Sequence, residues 1–405
     1  MKPIVRAGRM KPVHSDIRGP LFVEAMKRQK QGIDILKLNT GNPATFGFGL
    51  PDSIKNALME HMQDGVGYCD FKGMPQARQA ICDYETSKGI KGITSDDVFI
   101  GNGVSEVVSF ALTPLLNDGD EVLVPSPSYS LWENSIYLEG GKPVFYTCDE
   151  KANWYPDIKD IRSKITDKTK AIVIINPNNP TGVLYPKELL LEIIQIARES
   201  GLLIFTDEIY DRLVMDGKQH ISLASLTEDV PVITLNGLSK SHCLCGYRCG
   251  WMVISGPREL TEDYRQGIIQ LTSLRLCANT MAQIVIPAAL DDMDTPASMV
   301  RPGGRIYEQR EATVRELEKI NGLSFVKNDA AFYVFPKLDV KKFNITNDKQ
   351  FAHDLLDATN ILLVPGSGFD WKDPDHFRIV MLPQADILSD AIRRMGTFLD
   401  GYKQK

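Results

Sequence analysis

AIVIINPNNPTG, residues 171–182, decides the fold: five apolar residues, three of them isoleucine, run without a break into a string of Asn and Pro. An unbroken apolar run reads as a strand covered on both faces, the habit of parallel sheets packed between helices, and the Asn and Pro that follow read as a turn. LLIFTDEIYD, residues 202–211, repeats the arrangement, with a second apolar run that ends in acidic residues. Working outward, similar runs give seven candidate strands at 98–100, 121–124, 143–146, 171–175, 202–206, 232–235 and 251–254, with helical candidates at 105–116 and 187–199 between them. Strands that alternate with helices are βαβ units around a mostly parallel sheet, so the fold class is α/β.

Beyond residue 295 the pattern changes. A charged helix at 304–320 is followed by short strands around Phe325, at 333–336 and at 377–381, and by a closing helix from Asp386, which is an α+β arrangement. The expected organisation is residues 1–46 as an N-terminal segment, with a helix at 21–31, joining the small domain; 47–294 as the large domain; and 295–405 as the small C-terminal domain.

With 405 residues, 43% hydrophobic and 24% charged, the composition is that of a globular protein with a substantial core. Lys and Arg total 46 against 52 Asp and Glu, a formal charge of −6, which leaves no broad basic surface for nucleic acid. No segment approaches the roughly 20 apolar residues of a membrane span, and no apolar core follows the basic residues near the start. Seven scattered cysteines are read as reduced thiols, and the protein is expected in the cytoplasm.

The chemistry concentrates in NGLSKSHCLCGYRCGW, residues 236–251, where Lys240 follows Ser239 and Arg248 lies eight positions on. With NPNNPTG and TDEIYD this makes three polar motifs, each directly after a candidate strand. Ligands of α/β sheets bind beyond the carboxyl ends of the strands, so one crevice is expected to hold all three.

Together with DIRGPL (16–21), GNPATFGF (41–48), GYCDFKG (67–73), GNGVSE (101–106), SLRLCAN (273–279), PGGRIYEQR (302–310) and FRIVML (377–382), these motifs resemble the class I and II aminotransferases of fold type I over nearly the whole chain. Within that family the resemblance is most specific to bacterial alanine (glutamate-pyruvate) aminotransferases. It implies pyridoxal 5'-phosphate (PLP) as cofactor and a homodimer with shared active sites. Lys240 is then the residue that forms a Schiff base with the cofactor aldehyde and shuttles the substrate Cα proton, for which its pKa should be lowered by a cationic neighbour and a dry pocket. Asp207 sits under the ring nitrogen and keeps it protonated, so that the ring remains an electron sink. Asn179 and Tyr210 donate to the 3' oxygen. Backbone N–H groups of Val104 and Ser105 at a helix start, with Ser239 and Arg248, cradle the phosphate. Tyr129 stacks on the ring, and Tyr68 reaches the phosphate of the neighbouring subunit. Arg378 grips the substrate carboxylate in a two-pronged contact that Lys cannot reproduce, with help from the Gly41 backbone, and placing this clamp on the small domain implies that substrate closes the domains. Arg18 lies near the substrate entrance.

Each residue also has a plainer reading. Asp-Glu after a strand can cap a helix, and Asn-Pro-Asn-Asn-Pro is a turn signal. Tyr68, Tyr129 and Ser105 can be packing or capping residues, Arg378 a surface ion pair and Arg18 an interfacial one. Cys243, Cys245 and Cys249 invite zinc but lack a fourth ligand, so packing is expected and no metal. Cys245 departs from the Pro common in the family at that point. GNGVSE lacks the third glycine of a dinucleotide fingerprint. For substrates the resemblance implies alanine and pyruvate on one side, glutamate and 2-oxoglutarate on the other. Ser15, where relatives carry Tyr, leaves room for aspartate, valine or aromatic donors. A C-S β-lyase, which uses the same lysine and cradle but releases pyruvate and ammonia without any 2-oxo acid, stands as the other enzyme class, and a binding or regulatory module as the non-enzymatic one.

Overall fold

The computed structural model describes residues 2–405. Its centre is a sheet of eight strands in the spatial order Val98–Asn102, Cys249–Ser255, Val232–Gly237, Leu203–Asp207, Thr169–Ile175, Glu121–Ser126, Lys142–Asp149 and Tyr155–Pro156. All seven expected strands are present, most of them longer than the apolar run alone. The eighth, Tyr155–Pro156, is a two-residue edge strand antiparallel to Lys142–Asp149. It corrects the expected count of seven, because a Pro-containing pair carries no strand periodicity. Cys249–Ser255 runs antiparallel to both neighbours, and the remaining pairings are parallel.

Alternation along the central strand explains why its apolar run is unbroken. Ile172 and Ile174 enter one core with Leu123, Ile204 and Leu190, whereas Ala171, Val173 and Ile175 enter the core on the opposite face with Val124 and Phe205. Successive side chains point to opposite faces, so a strand with helices on both sides must be apolar throughout. The helix expected at 105–116 is Val104–Leu112, capped at Thr113 just before Pro114, which cannot continue it.

The second layer packs helices Arg305–Leu317, Asp348–Thr359 and Ala385–Gly401 around Leu38, Phe351, Leu355, Phe377, Leu388 and Ile392. Strand Phe377–Val380 is the middle strand of three, antiparallel to Tyr333–Val334 and Val364–Pro365. The N-terminal segment enters this layer through Leu36–Lys37, which pairs in parallel with Ile361–Leu362. Among the described residues no single helix is long and apolar enough to cross a membrane.

Candidate active site

Sheet register brings the three polar motifs side by side. Ile175 pairs with Asp207 and Asp207 with Leu235, so Asn176, Glu208 and Asn236 come side by side at the carboxyl end of these three strands. Lys240 follows on the four-residue helix Leu238–Ser241, and its Nζ donates to the Gly41 carbonyl at 2.9 Å, over the Phe332 ring at 5.8 Å. A Cβ at Gly41 would overlap Tyr333 Oη and approach Phe332 to 2.9 Å, so only glycine lets this backbone come so near.

Asp207 is buried, with only long contacts from Trp132 Nε1 at 3.5 Å and the Ile209 amide at 3.3 Å. Among the described residues no cation reaches it within ion-pair distance. Burial pushes its carboxyl up to about 6, against small lowering effects from those donors. Arg378, on Phe377–Val380, is 2% exposed and meets no acidic side chain among the described residues. Its Nη1 donates to Asn179 Oδ1 at 2.9 Å and its Nη2 to the Asn39 carbonyl at 2.5 Å, while Nε is buried without a partner. The guanidinium lies over the rings of Tyr333 and Phe369, each at 4.6 Å, and burial lowers its pKa. The surface ion pair considered for Arg378 is thereby overturned. Tyr210 Oη and Tyr333 Oη are 2.8 Å apart in the same cluster.

One expectation is reversed. Burial lowers the Lys240 ammonium and Arg378 acts with it, but Tyr333, Cys245 and Tyr129 outweigh both, and the free amine's pKa lies above its ordinary value. Cys245, not a cationic neighbour, is among the groups that decide this; its Sγ is 4.0 Å from Nζ and donates to the Ser239 carbonyl at 3.0 Å.

A second cluster lies at the start of helix Val104–Leu112. Gly103 there has φ of 85°, and a Cβ on it would overlap Arg248 Nη2, so the guanidinium sits directly against the helix N-terminus. Arg248 itself has φ of 56°, donates to the Cys245 carbonyl at 3.1 Å and pairs with no acid among the described residues. Val104 and Ser105 form the helix's first turn, and Ser239 sits in the first turn of Leu238–Ser241. Tyr129 is half-buried just before helix Leu131–Leu138, close enough for its field to act on both Lys240 and Arg378.

Two expected residues stay outside the cluster of this chain: Tyr68 is 84% exposed, and Arg18 is exposed with no ion pair among the described residues. Cys249 is buried in its strand, and Cys243, Cys245 and Cys249 do not converge on a common point. Sequence reasoning missed Tyr333, Phe332, Asn39 and Trp132. Trp132 stands in PSYSLW, residues 127–132, three positions after Tyr129, and no local feature of the sequence marks the others.

The arrangement has the chemistry of a binding site for a ligand of mixed charge. A buried carboxylate lacks a cation, a buried guanidinium lacks an anion, a helix N-terminus with Arg248 offers an anion seat, and an amine stands among them. A ring cation, a phosphate and an aldehyde on one cofactor fit these groups. Residues 33–392 match the family of class I and II aminotransferases. The chain belongs to that family. This aminotransferase is 50% identical, over the full length of both chains, to the glutamate-pyruvate aminotransferase AlaA of Haemophilus influenzae. It superposes on the crystal structure of an aminotransferase from Escherichia coli with a TM-score of 0.98 at 46% identity, covering both chains completely. With the alanine aminotransferase of Pyrococcus furiosus the TM-score is 0.93 at 41% identity, over 98% of this chain and 100% of that one. As a member of the family, the aminotransferase uses pyridoxal 5'-phosphate.

Proposed function

We propose that this aminotransferase moves the amino group of L-alanine to 2-oxoglutarate, giving pyruvate and L-glutamate in two successive half-reactions at Lys240. The observation that carries this reading is the pair of buried, uncompensated opposite charges, Asp207 and Arg378, disposed about one amine. The choice of alanine follows the names of the full-length relatives.

When bound, the cofactor supplies an aldehyde for the amino group and a ring that withdraws electrons from substrate Cα. Asp207 would hold the proton on the ring nitrogen. Asn179 and Tyr210 would hold the ring through its 3' oxygen, and Tyr129 would pack on it. Val104, Ser105, Ser239 and Arg248 anchor the phosphate. Arg378 and Gly41 hold the substrate carboxylate, with Arg18 at the entrance. Lys240 Nζ, once free, would take the proton from substrate Cα and hold it for return. The large and small layers close on substrate and exclude water.

Two copies complete the site in this reading. Met62, Val66, Tyr68, Leu274 and Leu276 are exposed large side chains, and Thr280 Oγ1 donates to the Gly65 carbonyl at 2.7 Å, tying their two segments together. An apolar surface of this kind fits burial against a second copy, which would bring each Tyr68 to the partner's phosphate seat. Seven unpaired cysteines fit a reducing cytoplasm.

The test is pyruvate formation by purified holoenzyme from L-alanine with 2-oxoglutarate, with Lys240→Ala as control. Lysine-dependent, 2-oxoglutarate-dependent pyruvate supports the reading. Turnover confined to aspartate, valine or aromatic donors would replace alanine, and pyruvate with ammonia from cystathionine alone would mark a C-S β-lyase.

A further inference from the structure

Outside the candidate active site, helix Leu131–Leu138 buries the Glu133 side chain completely, and neither carboxylate oxygen meets a donor from another residue. Asp370, which follows the turn Gly366–Phe369, adds a second carboxylate whose Oδ2 is also buried and unpartnered. Removing both groups from water carries a large desolvation cost, and burial beside Asp370 pushes the Glu133 carboxyl up to about 9, so the pair shares a proton whose place a metal cation would take.

The third member is an imidazole. His14 Nε2 lies 3.9 Å from Glu133 Oε1 and 3.8 Å from Asp370 Oδ1, and one ligand atom from each of the three lies within 4.8 Å of the others. The backbone of His14 is fixed, since its N–H donates to Asn134 Oδ1 at 3.0 Å and its carbonyl accepts from Asn134 Nδ2 at 2.6 Å. The ring is 40% exposed, so the group opens toward solvent on one side.

Two other groups of similar composition occur, and both already hold a cationic side chain. Lys88 Nζ is 2.7 Å from Glu208 and 3.2 Å from Asp211 in the cluster with His220. Arg28 bonds both Glu24 and Asp357 in the cluster with His353. Among the described residues, no Lys or Arg pairs with Glu133 or Asp370.

We propose that His14, Glu133 and Asp370 form a site for a divalent transition-metal ion, zinc in the first place, with water as the fourth ligand. One imidazole nitrogen and two carboxylates suit zinc, whereas calcium and magnesium seek six or more oxygens. Zinc bonds of about 2.0–2.2 Å would draw the three ligand atoms closer together, and half-exposed His14 has the freedom to swing inward. Bound metal would staple the segment carrying Ser15 and Arg18 to the helix that follows Tyr129. This site is independent of which amino donor the enzyme uses.

The test is calorimetric titration of untagged, chelator-treated holoenzyme with zinc chloride, with cobalt(II) as a spectroscopic probe. One zinc per chain is expected, weakened at least about tenfold by Glu133→Gln and by His14→Ala, and unchanged by His353→Ala. The visible bands of four-coordinate cobalt should vanish in His14→Ala. His14 stands on an exposed segment, so that variant keeps the fold even if Glu133→Gln does not. Absence of zinc binding overturns the proposal, and so does binding that survives His14→Ala or is lost in His353→Ala.

Discussion

Arg378 Nη1 donates to Asn179 Oδ1 across 2.9 Å, joining the middle strand of the small layer to the turn that leaves the central strand of the large sheet. The remaining Arg378 bonds go to a backbone carbonyl and to no acid, so the guanidinium is held in place without being neutralised. Arg378→Lys would keep the charge and lose the fork. Hydrogen bonds to charged groups are worth about 1.5–3 kcal/mol, so kcat/KM for amino and 2-oxo acids should fall by roughly 10- to 150-fold, with the rise in KM as its main component. Steady-state kinetics of the variant with unchanged KM would remove Arg378 from the carboxylate site.

Asp207 makes the cofactor-free protein sensitive to pH in a definite direction. Its folded pKa of about 6 lies above the ordinary 3.8 because burial disfavours the anion. Stability from the protonated form is therefore complete below the unfolded value and is lost as pH rises through 6, by about 3 kcal/mol in all. Denaturant unfolding of cofactor-free Asp207→Asn should lack this loss, so the two stability curves should separate between pH 4 and 6. In holoenzyme, where a ring cation faces the carboxylate, the wild-type loss should shrink or reverse. Parallel curves in the cofactor-free state would mean that Asp207 is solvated.

The sheet and the motifs at its edge were legible because they are local in sequence: AIVII must be apolar on both faces, and the Asn-Pro turn after it needs no tertiary information. Tyr333 was not legible. Its strand reads as plain core, and only the antiparallel pairing of Tyr333 with Val380 brings its hydroxyl to Tyr210, 123 positions away. The Lys240 environment was misread for the same reason, since Tyr333 and Tyr129 come from distant segments. Tyr155–Pro156 escaped because its pairing, not its side chains, makes it a strand.

Beside the Asp207–Asp211 loop, Lys88 Nζ contacts Glu85 at 2.7 Å, Glu208 at 2.7 Å and Asp211 at 3.2 Å. Glu208 follows Asp207 and Asp211 follows Tyr210, so this buried cation fixes the loop that presents both. Tyr84 and Asn236 donate to Asp211 as well, at 2.5 and 2.7 Å. Lys88→Met leaves three buried carboxylates uncompensated and should cost about 3–5 kcal/mol of unfolding free energy. Lys88→Arg should recover much of that, and cofactor should dissociate faster from the Met variant. Equal stability of Lys88→Met and wild type in chemical denaturation would show that the cluster is neutral without its lysine.

Tyr68 provides the sharpest test of shared sites, because its ring is 84% exposed and reaches nothing in its own cavity. If each phosphate seat takes Tyr68 from the partner, Tyr68→Ala and Lys240→Ala should each impair the homodimer, the second abolishing turnover. In a mixed dimer, the chain with Tyr68→Ala keeps its own Lys240 and receives an intact Tyr68 from its partner, so one of the two sites is whole. Unfolding and refolding the two variants together should then raise activity above the sum of the separate samples, toward that of one wild-type site per hybrid dimer. Activity that stays at the simple sum, with hybrid dimers demonstrated by differential tagging, would place Tyr68 outside the partner's site and leave its exposed ring as a packing residue alone.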